Sequence, residues 1–243
     1  MASTAEIPHE LIRTIADGQC VLFVGSGLSR HTYGLATWGE FIQNVRETLA
    51  ADHGTTDDTD EANVASYPLE YLEYAKLNFN SQYIAAVKSE LSVGGTVQAQ
   101  QAHRVIASLP WSAIVTTNLD TLLEDSLEHP VVVSSEKDLP QIGLASGPLL
   151  IKMHGSATTR EGHVLTRFEY LEFLESRRAM QAIVLTLFSQ FPVLVVGAGL
   201  TDPNFLTIYG MAESALRQWK RPTFYVGDGT PGFVKSIWGQ RRM

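Results

Sequence analysis

Four short apolar runs, each broken off by glycine or by clustered polar residues, constrain this chain more than any other feature. Val21 to Val24 stops at Gly25-Ser26-Gly27, and Trp111 to Val115 stops at Thr116-Thr117-Asn118-Leu119-Asp120. Leu149 to Met153 stops at His154-Gly155-Ser156, and Val193 to Val196 stops at Gly197-Ala198-Gly199. Runs this short, bounded by turn residues, read as strands buried on both faces rather than as helices. Helical spacing fills the intervals, as in Trp38, Phe41, Ile42, Val45 and Leu49, or in Leu119, Leu122, Leu123 and Leu127. Strands alternating with helices predict an α/β fold with a doubly wound parallel sheet. In such a sheet ligands bind outside the carboxyl ends of the strands, where these glycine and polar clusters fall.

The remaining pattern places the other elements. A short helix is expected over Pro8 to Ile15, and strands over Val131 to Val133 and Thr223 to Val226. Helices are expected over Phe168 to Ser176, Ala179 to Phe191 and Asp202 to Trp219. The acidic stretch Asp52 to Asn63 reads as a solvated loop, since it lacks the spacing and glycine of a calcium loop. Tyr67 to Leu91 and Val97 to Leu109 carry helical spacing with no strand between them. Residues 52–108 are therefore expected to form a helical subdomain inserted into a single domain spanning 1–243.

Composition narrows the function classes. The net charge of −8 disfavours direct nucleic-acid binding. The single cysteine, Cys20, excludes an internal disulfide and a cysteine-based zinc module. Cys20 sits in the apolar run before Val24, which predicts a buried structural thiol. No metal site is expected. The polar segment Met1 to His9 is no signal peptide, and no stretch reaches the length of a membrane span, so a cytoplasmic location is expected.

Each strand exit has a chemical and a plain structural reading. Asn118 can orient a water or a sugar hydroxyl and Asp120 can hold a carboxamide; equally, Asn118 can cap the following helix and Asp120 can favour its first turn. Gly25-Ser26-Gly27 with Ser29 allows backbone amides to approach a phosphate, or is a tight strand-to-helix turn. The dinucleotide fingerprint would need a third glycine where Arg30 stands. His154, followed by glycine at a strand end, is placed for general base chemistry, whereas His103 reads as a core or capping residue. Gly197 and Gly199 can admit a nucleoside, and Asp202 before Pro203 reads as a helix cap.

Taken together and in order, these segments resemble the sirtuin superfamily. Gly25 to Ser29, Thr116-Thr117-Asn118-Leu119-Asp120 and His154-Gly155 match its dinucleotide turn, its threonine–glutamine–asparagine–x–aspartate segment and its histidine–glycine pair. Thr117 stands where the deacylases have glutamine, and the zinc cysteines are missing. So is the proline–aspartate–phenylalanine–arginine stretch expected after the first turn. The pattern is closer to the sirtuin-like NAD hydrolases of bacterial antiviral defence, which it also matches at Leu165-Thr166 with Tyr170 and at Gly197 to Asn204. The resemblance spans residues 19 to 210.

The resemblance implies a Rossmann-like sirtuin fold and NAD as substrate, cleaved to nicotinamide and ADP-ribose. It assigns Asn118 and His154 as catalytic, and Gly25, Ser26, Gly27, Ser29, Thr117, Asp120, Gly197 and Gly199 as NAD-binding. It also implies depletion of NAD in abortive infection, with activation by homo-oligomer or filament assembly or by a separate sensor protein. Two other readings stay open: a module that binds NAD or ADP-ribose or assembles without hydrolysis, and, ranked last, an NAD-dependent protein deacylase.

Overall fold

The computed structural model describes residues 7–54, 59–91, 101–144, 146–159, 162–199, 203–217, 221–227 and 232–240. Among these residues six parallel strands form one sheet: β1 (Val21–Val24), β2 (Ala113–Thr116), β3 (Val131–Val133), β4 (Leu149–Lys152), β5 (Val193–Val196) and β6 (Thr223–Val226). Their order across the sheet is β3-β4-β2-β1-β5-β6. The chain builds outward from β1 on one side through β2, β4 and β3, then returns to the other side of β1 with β5 and β6. The winding reverses between β1 and β5, which is where a crevice opens in a doubly wound sheet. Val24, Thr116, Lys152 and Val196 stand in one register row, so the four motif-bearing exits begin at the same level.

Alternation along the strands explains why both faces are covered. Val21 and Phe23, with Val115, Ile151, Val193 and Val195, face a core built with α9 (Arg167–Ser176), α10 (Arg178–Gln190) and α11 (Pro203–Leu216). Leu22 and Val24, with Ile114, Leu150 and Leu194, face the opposite core, built with α1 (His9–Ala16), α7 (Gln101–Ala107) and α8 (Leu122–Ser126). Cys20 is fully buried in this second core, and burial pushes its thiol up to about 11.

Between β1 and β2 the chain runs through α2 (Ser26–Tyr33), α3 (Trp38–His53), α4 (Glu61–Ser66), α5 (Pro68–Asn78) and α6 (Asn80–Leu91) before α7. Helices α3 to α6 share a core of their own, including Phe41, Val45, Val64, Leu72 and Tyr83. Leu119 and Leu165 from the strand exits insert into that core and so join the helical layer to the mouth of the sheet. Local signals set its boundaries. Thr37 and Glu40 exchange hydrogen bonds to start α3, the Asp60 side chain accepts from Asn63 N at 2.7 Å to start α4, and Pro68 opens α5.

Several local expectations are corrected. The acidic stretch is not a loop throughout: α3 runs on to His53 and α4 begins at Glu61. Asp57 and Asp58 lie outside the described residues, as do Val97 to Gln100, Met1 to Glu6 and the cap read at Asp202. A 3-10 helix over Glu136–Gly143 and α12 (Gly232–Gln240) are additional. No described helix is long and apolar enough to cross a membrane.

Candidate active site

A cavity of about 440 Å³ opens at the carboxyl ends of β1, β2 and β4, beside the exit of β5. Its polar wall comes from the strand exits: Gly25, Ser26 and Ser29 after β1, Thr117, Asn118 and Asp120 after β2, His154 after β4, and Ala198 and Gly199 after β5. Its apolar wall comes from the helical layer and the start of α9, including Trp38, Phe41, Leu69, Leu165 and Tyr170. Two structural layers thus meet over one site, as is common for small-molecule clefts.

Asn118 does not cap a helix. Helix α8 starts only at Leu122, with Thr121 at its N-cap, and the Leu122 amide donates to Asp120 Oδ1 at 3.1 Å. The Asn118 amide is anchored through its backbone N–H, which donates to Thr116 Oγ1 at 3.0 Å, while Thr116 donates to Val24 O at 2.8 Å. The Asn118 side chain reaches across to the β1 exit, donating to Gly25 O at 3.3 Å and to Ser29 Oγ at 3.2 Å. A backbone carbonyl only accepts, so this contact fixes which end of the carboxamide faces Gly25. The other end, Oδ1, is buried and has no hydrogen-bond partner among the described residues. A buried acceptor left open costs about 1–3 kcal/mol, which is a reason to expect a donor there from water or ligand.

Ser29 links the Asn118 and Asp120 side chains: it receives Asn118 Nδ2 and donates to Asp120 Oδ2 at 2.9 Å. His154 is buried and packs edge-on to Tyr170 and Phe173, with ring centroids 5.5 and 5.9 Å away. These rings fix the imidazole plane against the apolar wall.

Two of the expected NAD-binding glycines, Gly27 and Gly197, meet each other backbone to backbone. Gly27 N donates to Gly197 O at 2.8 Å. A Cβ on Gly27 would stand 2.6 Å from that carbonyl, and one on Gly197, at φ 65°, would stand 2.4 Å from Leu28 N. Neither is among the cavity-lining residues; together they let the β1 and β5 exits touch. The glycine pair after β1 also opens α2 rather than forming a separate turn, since α2 begins at Ser26.

Sequence reading missed Lys152. It is fully buried, and its ammonium donates to Leu119 O, Asp120 O, Glu124 Oε1 and Ser156 Oγ. The available signal was a lone charge inside the apolar run Leu149 to Met153, which burial obliges to find partners. Glu169 was missed for a similar reason. Burial acts to raise its pKa, but hydrogen bonds from Lys76 and from the Leu165 and Thr166 amides outweigh it and hold the carboxyl below its ordinary value. That set ties the Leu165-Thr166 motif and α9 to α5. His103 is a core residue, with Nδ1 3.3 Å from Thr32 Oγ1 on α2. Among the described residues no group of three or more histidine, cysteine, aspartate and glutamate side chains is arranged to hold a metal ion.

A parallel sheet with a polar crevice at its winding reversal defines an α/β fold of Rossmann type. The SIR2-like domain family matches residues 112–236, and the chain belongs to that family. Among curated proteins it is similar to the NAD(+) hydrolase ThsA of Enterococcus faecium, 27% identical over 219 residues, covering 87% of this chain and 44% of that protein. It is also similar to the NAD(+) hydrolase ThsA of Bacillus cereus (strain MSX-D12), 23% identical over 217 residues, covering 87% of this chain and 44% of that protein. The chain thus spans less than half the length of these relatives. Among solved structures, a Sir2 homologue mutant in complex with ADP-ribose has the same fold, with a TM-score of 0.50 at 13% identity over 90% of this chain and 84% of that one.

Proposed function

We propose that this chain is the NAD-cleaving domain of an NAD(+) hydrolase. The observation that carries the reading is the open Oδ1 of Asn118 in a cavity that also receives His154 and Asp120. The curated relatives, all NAD(+) hydrolases by name, support it.

Cleavage of the nicotinamide–ribose bond passes through an oxocarbenium-like centre, as glycoside cleavage does. Nicotinamide leaves as a neutral molecule with the bonding electron pair, so no general acid is required. Water adds to the ribose carbon and gives up a proton. In this reading Asn118 Oδ1 accepts from the attacking water or a ribose hydroxyl, and His154 takes the proton or polarises a ribose hydroxyl. Asp120 holds the nicotinamide carboxamide beside Thr117. The N-terminus of α2, with Gly25, Ser26 and Ser29 in the cavity wall, receives the pyrophosphate, and Gly199 borders the adenosine. Gly27 and Gly197 act from behind, by holding the two exits together.

The same proposal takes residues 52–108 as a helical insertion in one domain. It places the protein in the cytoplasm, in antiviral defence by NAD depletion, with turnover released by self-assembly or by a partner.

The test is to incubate the protein with NAD over a wide range of protein concentration and to follow nicotinamide and ADP-ribose. Asn118→Ala and His154→Ala are each expected to lower turnover by about 10²-fold or more. Equal turnover by wild type and both variants refutes the assignments. Tight NAD binding with no turnover at any assembly state would instead establish a binding module.

A further inference from the structure

We infer that Lys152 is a positioning residue that sets the distance between Asn118 and His154. The inference rests on the NAD-cleaving reading for its kinetic consequence, but not for its structural one.

Lys152 is the last residue of β4, in register with Thr116, the last residue of β2. Two residues after Thr116 comes Asn118, and two residues after Lys152 comes His154. One residue past that row the ladder gives a last bond, from Met153 N to Thr116 O at 2.8 Å. Beyond it the Lys152 ammonium holds the exits: it donates to Leu119 O at 3.2 Å and to Asp120 O at 2.6 Å in the β2 exit. It donates to Ser156 Oγ at 3.1 Å in the β4 exit. It also pairs with Glu124 in α8, whose Oε1 accepts from Ser156 Oγ at 3.1 Å. One buried cation therefore gathers the segment carrying Asn118 and the segment carrying His154 about a single point. A backbone bond from Ala157 N to Leu119 O at 2.8 Å runs alongside.

The oxygens around Nζ outnumber its three protons. A neutral isostere leaves the Leu119 and Asp120 carbonyls, the Ser156 hydroxyl and the Glu124 carboxylate without their shared donor. Strain of that kind falls first on the two exits; Lys152 does not touch Gly25 to Ser29, which it reaches only through the Asn118 and Asp120 side chains. Substrate affinity from the pyrophosphate cradle and the alignment of the two catalytic side chains are thereby separable.

The experiment compares wild type, Lys152→Met and the milder Ser156→Ala and Glu124→Gln. In each, ADP-ribose affinity, NAD turnover and the NMR resonances of the Asn118 carboxamide and the His154 imidazole are measured. In Lys152→Met, ADP-ribose affinity is expected to stay within about 3-fold while kcat falls by about 30-fold or more, a loss of alignment without loss of binding. The Asn118 and His154 resonances shift together, and by more than the amides of Gly25 to Ser29. Ser156→Ala and Glu124→Gln give smaller shifts in the same resonances, and they carry the test if Lys152→Met does not fold. Unchanged Asn118 and His154 resonances in the folded variants overturn the inference, whatever the turnover. Equal loss of affinity and turnover with shifts across the whole site also overturns it. A wild type that binds ADP-ribose but never cleaves NAD defeats the hydrolase reading alone, and the resonances still decide the role of Lys152.

Discussion

Replacing Gly197 with alanine isolates the contact that closes the crevice at the winding reversal. Gly197 sits at φ 65°, where an alanine costs about 1–2 kcal/mol. Its new Cβ would lie 2.4 Å from Leu28 N, a backbone atom that cannot swing aside. The β1 and β5 exits must then separate. That breaks the 2.8 Å bond from Gly27 N to Gly197 O, worth about 1 kcal/mol net. Summed, Gly197→Ala destabilises by roughly 2–3 kcal/mol. For a domain of this size the melting temperature should fall by roughly 4–12 °C. Gly210→Ala is the control: it lies within α11, an added Cβ meets nothing within 4 Å, and the substitution should stabilise by about 0.5–1 kcal/mol. Thermal unfolding followed by circular dichroism measures both, with ADP-ribose titration alongside. If Gly197→Ala melts within about 1 °C of wild type and only ADP-ribose binding weakens, the glycine serves the ligand and the packing argument is wrong.

Two further outcomes follow from the geometry. Ser29→Ala removes the hydroxyl between Asn118 and Asp120 and should cost about 1 kcal/mol. It should also reduce NAD turnover more than it reduces stability-limited expression, and unchanged kinetics would remove Ser29 from the site. Burial holds His103 and His163 below the ordinary histidine range, against the opposing pull of Asp120 on the first and of the Ser156 carbonyl on the second. A depressed folded pKa gives stability that is complete above the unfolded value of about 6.5 and is lost as pH falls from there through the folded value. The melting temperature should therefore drop between pH 7.5 and 5.5, and His103→Gln should shrink that drop; an identical drop in the variant would refute the assignment.

The strands were legible because their signal is local. Val21–Val24, Val131–Val133, Val193–Val196 and Thr223–Val226 have the bounds that their apolar runs suggest; for the central β1, buried on both faces, the run must be apolar throughout. The glycine and polar exits pointed to the crevice for the same reason. Boundaries set by hydrogen bonds between neighbouring turns were less legible: Asp60 caps α4 inside a stretch that looks like solvated loop.

Sequence alone determined that the sheet is parallel, that its carboxyl edge carries Asn118, Asp120 and His154, and that no cysteine cluster accompanies them. Those properties depend on residue type and short-range order. Tertiary structure decided which partner each polar group found. Asn118 turned from a helix cap into a bridge to Gly25 because β1 and β2 are neighbours. Gly27 and Gly197, 170 positions apart in number, became one backbone contact because β5 returns to the other side of β1. Lys152 looked like an intrusion in an apolar strand until the β2 exit, α8 and the β4 exit converged on it. The physical reason is common to all three: a buried polar or backbone group must be satisfied, but the group that satisfies it is chosen by strand order, which no local pattern encodes.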